Sequence, residues 1–139
     1  MYLIKVEHSF DSAHFLSNYI GKCANIHGHR WRVEVELKAT ELIQEGASKG
    51  MVVDFTHIKA EIKGLLDSFD HALIIEEGSM RMETLKCLKE DGFKIVALPF
   101  RTTAEKFSEY FFNCFKKTCK DVHRVTVYET PTNSATFEG

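Results

Sequence analysis

Two segments near the start of the chain alternate between apolar and polar residues, which is the pattern of a half-buried β-strand. The first runs from about Tyr2 to Phe10 and the second from about His27 to Ala39. Because strand side chains point alternately to the two faces of a sheet, the odd-numbered residues of the second segment share one face. The apolar residues on that face are Trp31, Val33, Val35 and Leu37, and the other face carries Arg30, Arg32, Glu34, Glu36 and Lys38.

Two longer segments space their apolar residues with the period of an α-helix. The first follows Met51–Phe55, with Asp54 or Thr56 available as its N-cap. Its apolar positions are Ile58, Ile62, Leu65, Leu66 and Phe69. The second begins at a capping-box pair, Thr102 and Glu105. Its apolar stripe consists of Phe107, Tyr110, Phe111, Cys114 and Phe115.

Shorter elements lie between and after these helices. The sequence predicts a short helix from about Met80 to Glu90, with Ser79 as its cap and Gly92 as its stop. Strands are predicted over Lys94–Leu98 and Val122–Thr130.

In chain order, the predicted elements are strand, strand, helix, short helix, strand, helix and strand. This order predicts an α+β fold in which a four-stranded antiparallel sheet carries helices packed on one face. With 139 residues, the chain is predicted to form one domain over residues 1–139. Because unpaired sheet edges invite pairing with another chain, we expect the sheet to be closed by oligomerisation.

Composition narrows the expected partners. Lys and Arg number 18 against 20 Asp and Glu, with no basic run, so we expect no nucleic-acid partner. No apolar stretch approaches the length of a membrane span, and the start of the chain lacks the pattern of a secretory signal. The four cysteines form no CxxC pair and are expected to be free thiols. A cytoplasmic protein with a small-molecule partner is the expectation.

Three histidines close together in the sequence carry the strongest chemical signal: His14, His27 and His29. His27 and His29 lie two residues apart on a predicted strand, so they share a face and can converge on one ion. Three neutral imidazoles with one open position are typical of a catalytic Zn²⁺ site. Cys23 leaves two alternatives, a fourth ligand that closes a structural site or a thiol that transfers protons.

Further along the chain, two places carry groups suited to acid–base chemistry or ligand binding. Asp70 and His71 are neighbours, and a carboxylate beside an imidazole can orient an acid or base. Glu129 lies near the end of the last predicted strand, on the face shared with Val125 and Val127. By themselves, these residues are weak evidence, because such neighbours also occur by chance.

Together these motifs resemble the family of 6-pyruvoyl-tetrahydropterin and 6-carboxy-tetrahydropterin synthases. The resemblance runs along nearly the whole chain and rests on six segments in the same order. They are Phe10–His14, Cys23–His29, Gly50–Phe55, Phe69–His71, Thr103–Glu105 and Glu129–Thr132.

The resemblance implies a role for nine residues. It implies that Zn²⁺ is bound by His14, His27 and His29. It implies a catalytic thiol and a proton relay, formed by Cys23, Asp70 and His71. It implies that substrate is bound by Glu129, Thr103 and Glu105. The fold it implies is the T-fold, whose subunits pair their sheet edges into a trimeric barrel. Two trimers commonly stack as a hexamer with active sites between subunits.

The spacing from Cys23 to His27 indicates the 6-carboxy branch of the family, which belongs to queuosine biosynthesis. The implied substrate is 7,8-dihydroneopterin triphosphate, and the implied products are 6-carboxy-5,6,7,8-tetrahydropterin, acetaldehyde and triphosphate. One alternative is the sister activity, which eliminates triphosphate to give 6-pyruvoyl-tetrahydropterin without carbon–carbon cleavage. Another is a non-catalytic module with a closed zinc site.

Overall fold

The computed structural model describes all 139 residues and contains six strands and three α-helices. The strands are β1 (Tyr2–His14), β2 (His27–Ala39), β3 (Ala72–Glu76), β4 (Ile95–Leu98), β5 (Val122–Thr130) and β6 (Asn133–Glu138). The helices are α1 (Phe55–Leu66), α2 (Met82–Glu90) and α3 (Ala104–Thr118). Short 3₁₀ turns cover Lys22–Ala24 and Asp67–Phe69. None of the helices is both long and apolar enough to cross a membrane.

All six strands form one mixed sheet in the order β4-β3-β1-β2-β5-β6. The central pair β1–β2 is antiparallel over its full length, from Tyr2 opposite Ala39 to His14 opposite His27. Strands β5 and β6 continue the antiparallel part, whereas β3 and β4 join in parallel on the other side of β1. The prediction of a four-stranded antiparallel sheet is therefore wrong in strand number and direction, although the α+β class is confirmed.

The two missed strands have weak sequence signals. Strand β3 is a short apolar run, Ala72 to Ile75, without alternation, which is typical of a parallel strand buried on both faces. Strand β6 is a mostly exposed edge strand, and only Ala135 and Phe137 provide apolar contacts. Strand β1 extends beyond the predicted end at Phe10, because its pairing with β2 continues as far as His14.

The helix caps confirm one prediction and correct two. Asp54 caps α1, since its Oδ1 accepts a hydrogen bond from Thr56 N at 2.8 Å. The cap of α3 is Thr103 instead of Thr102, and its hydroxyl accepts from Lys106 N at 3.3 Å. Helix α2 starts at Met82 without a side-chain cap, because the Ser79 hydroxyl donates to the preceding Glu76 carbonyl.

One face of the sheet carries the core. Helix α1 packs on β1, and α3 packs on β5 and β6, which confirms the prediction of helices on one face for these two helices; α2 buries none of its residues. Phe10 of β1 and Trp31 of β2 are opposite each other and buried beneath Phe107 and Phe111 of α3. This aromatic cluster lies directly beside the first histidine of the sequence motif, since Trp31 contacts the His14 ring.

Ion pairs between neighbouring strands cover the opposite face. Lys5 Nζ lies 3.0 Å from Glu34, and Arg32 lies 2.9 Å from Glu7. The predicted polar face of β2 is thus confirmed.

Candidate metal centre and substrate cavities

The pairing of β1 with β2 brings the three histidines together. His14 lies directly opposite His27, and His29 follows two residues later on the same face. Their ring centroids are 4.6 Å (His14–His27), 5.2 Å (His14–His29) and 4.8 Å (His27–His29) apart. One nitrogen of each ring lies within 4.8 Å of the others. The prediction that these side chains converge is confirmed.

Backbone carbonyls orient two of the rings. His14 Nδ1 donates to the Thr102 carbonyl oxygen at 2.9 Å, with the Thr102 hydroxyl at 3.1 Å. His27 Nδ1 donates to the Asn25 carbonyl at 2.7 Å. Because a carbonyl only accepts, these bonds place the proton on Nδ1 and leave the Nε2 lone pair free. The Nε2 atoms of all three histidines are buried without a hydrogen-bond partner.

Burial also keeps His14 and His29 uncharged at neutral pH. Desolvation, reinforced by the neighbouring His27 and His29, lowers the pKa of His14 to about 4. Burial likewise lowers the pKa of His29, against an opposing effect of Glu129. Neutral imidazoles with free lone pairs are the form in which histidine binds a metal ion. The donor set therefore fits Zn²⁺, with three nitrogen ligands and one open position.

Cys23 does not belong to the group of converging ligand atoms. It occupies the 3₁₀ turn Lys22–Ala24 and carries a half-buried free thiol. Its carbonyl accepts from Leu16 N at 2.8 Å, which ties the turn to the end of β1. The geometry favours an open three-histidine site over a closed one that includes this thiol.

Glu129 and His29 share a cavity of about 360 Å³. Glu129 Oε1 lies 3.4 Å from His29 Nε2, within ion-pair range but without the geometry of a hydrogen bond. Arg30, Arg32 and Tyr128 also line this cavity. A carboxylate that faces an open cavity beside the metal centre can accept N–H groups from a bound heterocycle.

His71 reaches a neighbouring cavity of about 500 Å³, which is also lined by Ser12 and His29. His71 Nδ1 lies 2.8 Å from Asp70 Oδ2, and Asp70 Oδ1 accepts from Asp11 N at 2.9 Å. The Asp11 N–H and, after it, His71 lower the pKa of Asp70, so this carboxylate is ionised at neutral pH. His71 adopts a left-handed backbone conformation (φ 54°), which its N–H bond to the Asp11 carbonyl supports. The pair is thus held in place while the imidazole remains exposed.

Thr103 and Glu105, in contrast, line neither cavity. Thr103 caps α3 and Glu105 lies exposed in its first turn. Their assignment to the substrate stays a prediction.

Sequence reasoning missed two residues beside the histidines. The sequence predicts a helix cap at Thr102, but this residue is fully buried against His14. Ser12 lies across from His29 and is also buried. Strand parity carried a signal for Ser12, because it is two residues before His14 on the same face. No local pattern marked Thr102.

Comparison with known proteins gives a consistent picture. The family model described as 6-pyruvoyl tetrahydropterin synthase matches residues 3–139. A 6-carboxy-5,6,7,8-tetrahydropterin synthase from Haemophilus influenzae is 36% identical, with 99% of each chain covered. A protein of the same name from Aquifex aeolicus is 31% identical over 86% of this chain and 77% of its own.

Solved structures show the same fold. The 6-pyruvoyl tetrahydropterin synthase of Caenorhabditis elegans superposes with a TM-score of 0.69 at 27% identity, covering 100% of this chain and 97% of its own. An uncharacterised protein from Wolinella succinogenes superposes with a TM-score of 0.83 at 20% identity, covering 99% and 97%. The α+β architecture around the three histidines is therefore shared with these structures.

Proposed function

Because the chain belongs to the 6-pyruvoyl tetrahydropterin synthase family, we propose that it is a zinc-dependent 6-carboxy-5,6,7,8-tetrahydropterin synthase. Its substrate is then 7,8-dihydroneopterin triphosphate, and its products are 6-carboxy-tetrahydropterin, acetaldehyde and triphosphate. The observation that carries the proposal is the set of three unpartnered, buried Nε2 atoms of His14, His27 and His29. The short spacing from Cys23 to His27 and the names of the relatives support the 6-carboxy branch, which belongs to queuosine biosynthesis.

In this proposal, His14, His27 and His29 would hold a zinc ion, which would supply Lewis-acid polarisation of the substrate's side-chain oxygens. Cys23 acts as the general base that removes a proton from the substrate's side chain. Asp70, ionised and hydrogen-bonded to Asp11 N, accepts a hydrogen bond from the Nδ1–H of His71, which leaves Nε2 free to exchange a proton with the substrate. Triphosphate leaves by elimination, and hydrolytic carbon–carbon cleavage, which consumes one water molecule, then releases acetaldehyde and leaves the 6-carboxy group.

Glu129 fixes the orientation of the pterin. Its carboxylate accepts two N–H groups of the ring, one to each oxygen, which is a geometry that a carboxylate favours. The cavity that it shares with His29 supports this role, because a ring bound there would lie beside the three histidines.

Thr103 and Glu105 are proposed to contact substrate from a neighbouring subunit. Both lie outside the two cavities beside the histidines, so contact with substrate bound in a neighbouring subunit's site is the proposed arrangement. The sheet ends at β4 on one side and β6 on the other, so each has an unpaired edge for a second chain. A trimer or a hexamer of this kind is part of the proposal.

Incubation of the zinc-loaded protein with 7,8-dihydroneopterin triphosphate, followed by identification of the products, tests the proposal. Acetaldehyde and 6-carboxy-tetrahydropterin are the expected products. Triphosphate with 6-pyruvoyl-tetrahydropterin and no acetaldehyde would instead assign the sister activity, which the likeness to the Caenorhabditis elegans enzyme supports. A zinc-loaded protein that neither converts nor binds the pterin would contradict the proposal and leave a non-catalytic zinc module.

A further inference from the structure

Two cross-strand pairs on one face of the sheet surround the proposed metal position. His14 lies opposite His27, and Ser12 lies opposite His29. Side chains of directly opposite residues in an antiparallel pair start about 4.5–5.5 Å apart at Cβ, and both point to the same face. The three histidines therefore occupy three corners of a four-residue arrangement, and Ser12 occupies the fourth.

The hydroxyl of Ser12 has no partner in the structure. The residue is 7% exposed, its Oγ is closed to solvent, and no protein group bonds to it. Such a hydroxyl costs about 1–3 kcal/mol of stability, so buried hydroxyls are rarely left unpaired. The Nε2 atoms at the other three corners also lack a hydrogen-bond partner. A bound group at the centre would satisfy all four corners together.

A serine with a purely structural role looks different in this chain. The Ser108 hydroxyl, which is also buried, donates to the Glu105 carbonyl at 2.7 Å. Nothing comparable holds Ser12. Its neighbours in β1 do not compete for the same position, because Asp11 points to the other face and pairs with Arg30.

We infer that Ser12 is a ligand-binding residue whose hydroxyl hydrogen-bonds to an oxygen atom of the group held at the open position of the three-histidine centre. The ligand class is a small molecule with a hydroxyl, carbonyl or anionic oxygen, such as the hydroxylated side chain of a pterin. The inference rests on one part of the proposed function, namely that the three histidines bind a metal ion.

Cobalt(II) loaded in place of zinc makes ligand binding visible in the absorption spectrum, and acetohydroxamate serves as an oxygen-donor probe that needs no pterin. We expect the Ser12→Ala protein to bind acetohydroxamate about 3- to 10-fold more weakly than the unmodified protein, the range for one lost hydrogen bond. Its cobalt affinity should be unchanged, and its metal-free form should unfold at the same or a higher temperature. Ser108→Ala is the matched control and should bind acetohydroxamate like the unmodified protein.

Equal acetohydroxamate affinity in Ser12→Ala and the unmodified protein would overturn the inference. A weaker cobalt affinity or a lower unfolding temperature in Ser12→Ala would also overturn it, since the hydroxyl would then serve the metal or the fold. Failure of the histidines to bind cobalt would have the same consequence. A protein that shows the Ser12 effect but does not convert 7,8-dihydroneopterin triphosphate would contradict the proposed function alone.

Discussion

At the scale of single residues, the properties of the metal centre depend on groups that contact the histidine rings without being metal ligands themselves. The Nδ1 atom of His14 contacts the carbonyl and the hydroxyl of Thr102. The His14 ring also packs against Trp31, at a distance of 5.0 Å between ring centroids. The hydrogen bond fixes the tautomer that exposes Nε2 to the metal position. Metal affinity is therefore determined in part by residues that do not contact the ion.

Thr102→Val tests this support, because valine preserves the volume and the carbonyl but removes the hydroxyl. Because the Thr102 carbonyl still accepts from His14 Nδ1, we expect zinc affinity to fall by less than about 10-fold, the lower end for complete loss of a group that orients a metal-bound histidine. Competition with a chromogenic chelator measures it. Thr103→Val is the control: it removes the α3 cap and about 1 kcal/mol of stability but should leave zinc affinity unchanged. Equal losses of zinc affinity in both variants would point to a general effect on α3.

The role of Cys23 depends on whether its thiol reacts or binds the metal. Cys23→Ala should abolish turnover of 7,8-dihydroneopterin triphosphate and leave one zinc ion bound per chain, because only histidines converge on the metal position. Zinc content by atomic absorption and product formation give the two measurements. The exposed Cys87, changed to Ala, controls for loss of a thiol and should keep full activity. Loss of zinc from Cys23→Ala would restore the fourth-ligand alternative.

At the scale of elements, the periodicity of apolar residues predicted the strand and helix faces, because these depend on local sequence. The alternation of β2 gave the face that His27 and His29 share, and helical spacing gave the buried side of α1, formed by Ile58 and Ile62. What it missed depends on distant partners. Strand β3 exists because β1 and β4 pair with it on both sides, and the Thr102–His14 contact joins residues 88 positions apart. Local sequence patterns do not predict contacts between residues that lie so far apart in the chain.

The start of α1 offers a test at this scale, because the sequence left Asp54 and Thr56 as alternative caps. In the structure, Asp54 accepts from Thr56 N, so Asp54→Ala should lower the free energy of unfolding by about 1 kcal/mol. Thr56→Ala keeps the backbone N–H and should cost only a few tenths of a kcal/mol. Urea unfolding of the two variants decides between them. A larger loss in Thr56→Ala than in Asp54→Ala would contradict the observed cap.

At the scale of the whole molecule, the buried histidine cluster couples stability to pH. His14 is 1% exposed and packs against His27, His29, Trp31 and Thr102. Its pKa is about 4 in the folded metal-free protein, against about 6.5 when unfolded. Between these two values, the unfolded chain binds the proton and the folded protein does not. The contribution of His14 to stability is therefore fully present above about pH 6.5 and is lost as the pH falls towards 4.

We accordingly expect the metal-free protein to lose about 2 kcal/mol of unfolding free energy between pH 7 and pH 5 through His14, as the linkage relation requires for this pair of pKa values. Urea titrations at pH 7, 6 and 5 measure the loss. His14→Gln lacks the titrating group, so its stability should change less over the same range, whatever its absolute value at pH 7. Equal pH dependence of the unfolding free energy in the two proteins would mean that protonation of His14 does not destabilise the folded protein. Saturating zinc should remove most of this pH dependence between pH 7 and pH 6. On further acidification the zinc should dissociate, since the metal and the proton compete for the same Nε2 atom.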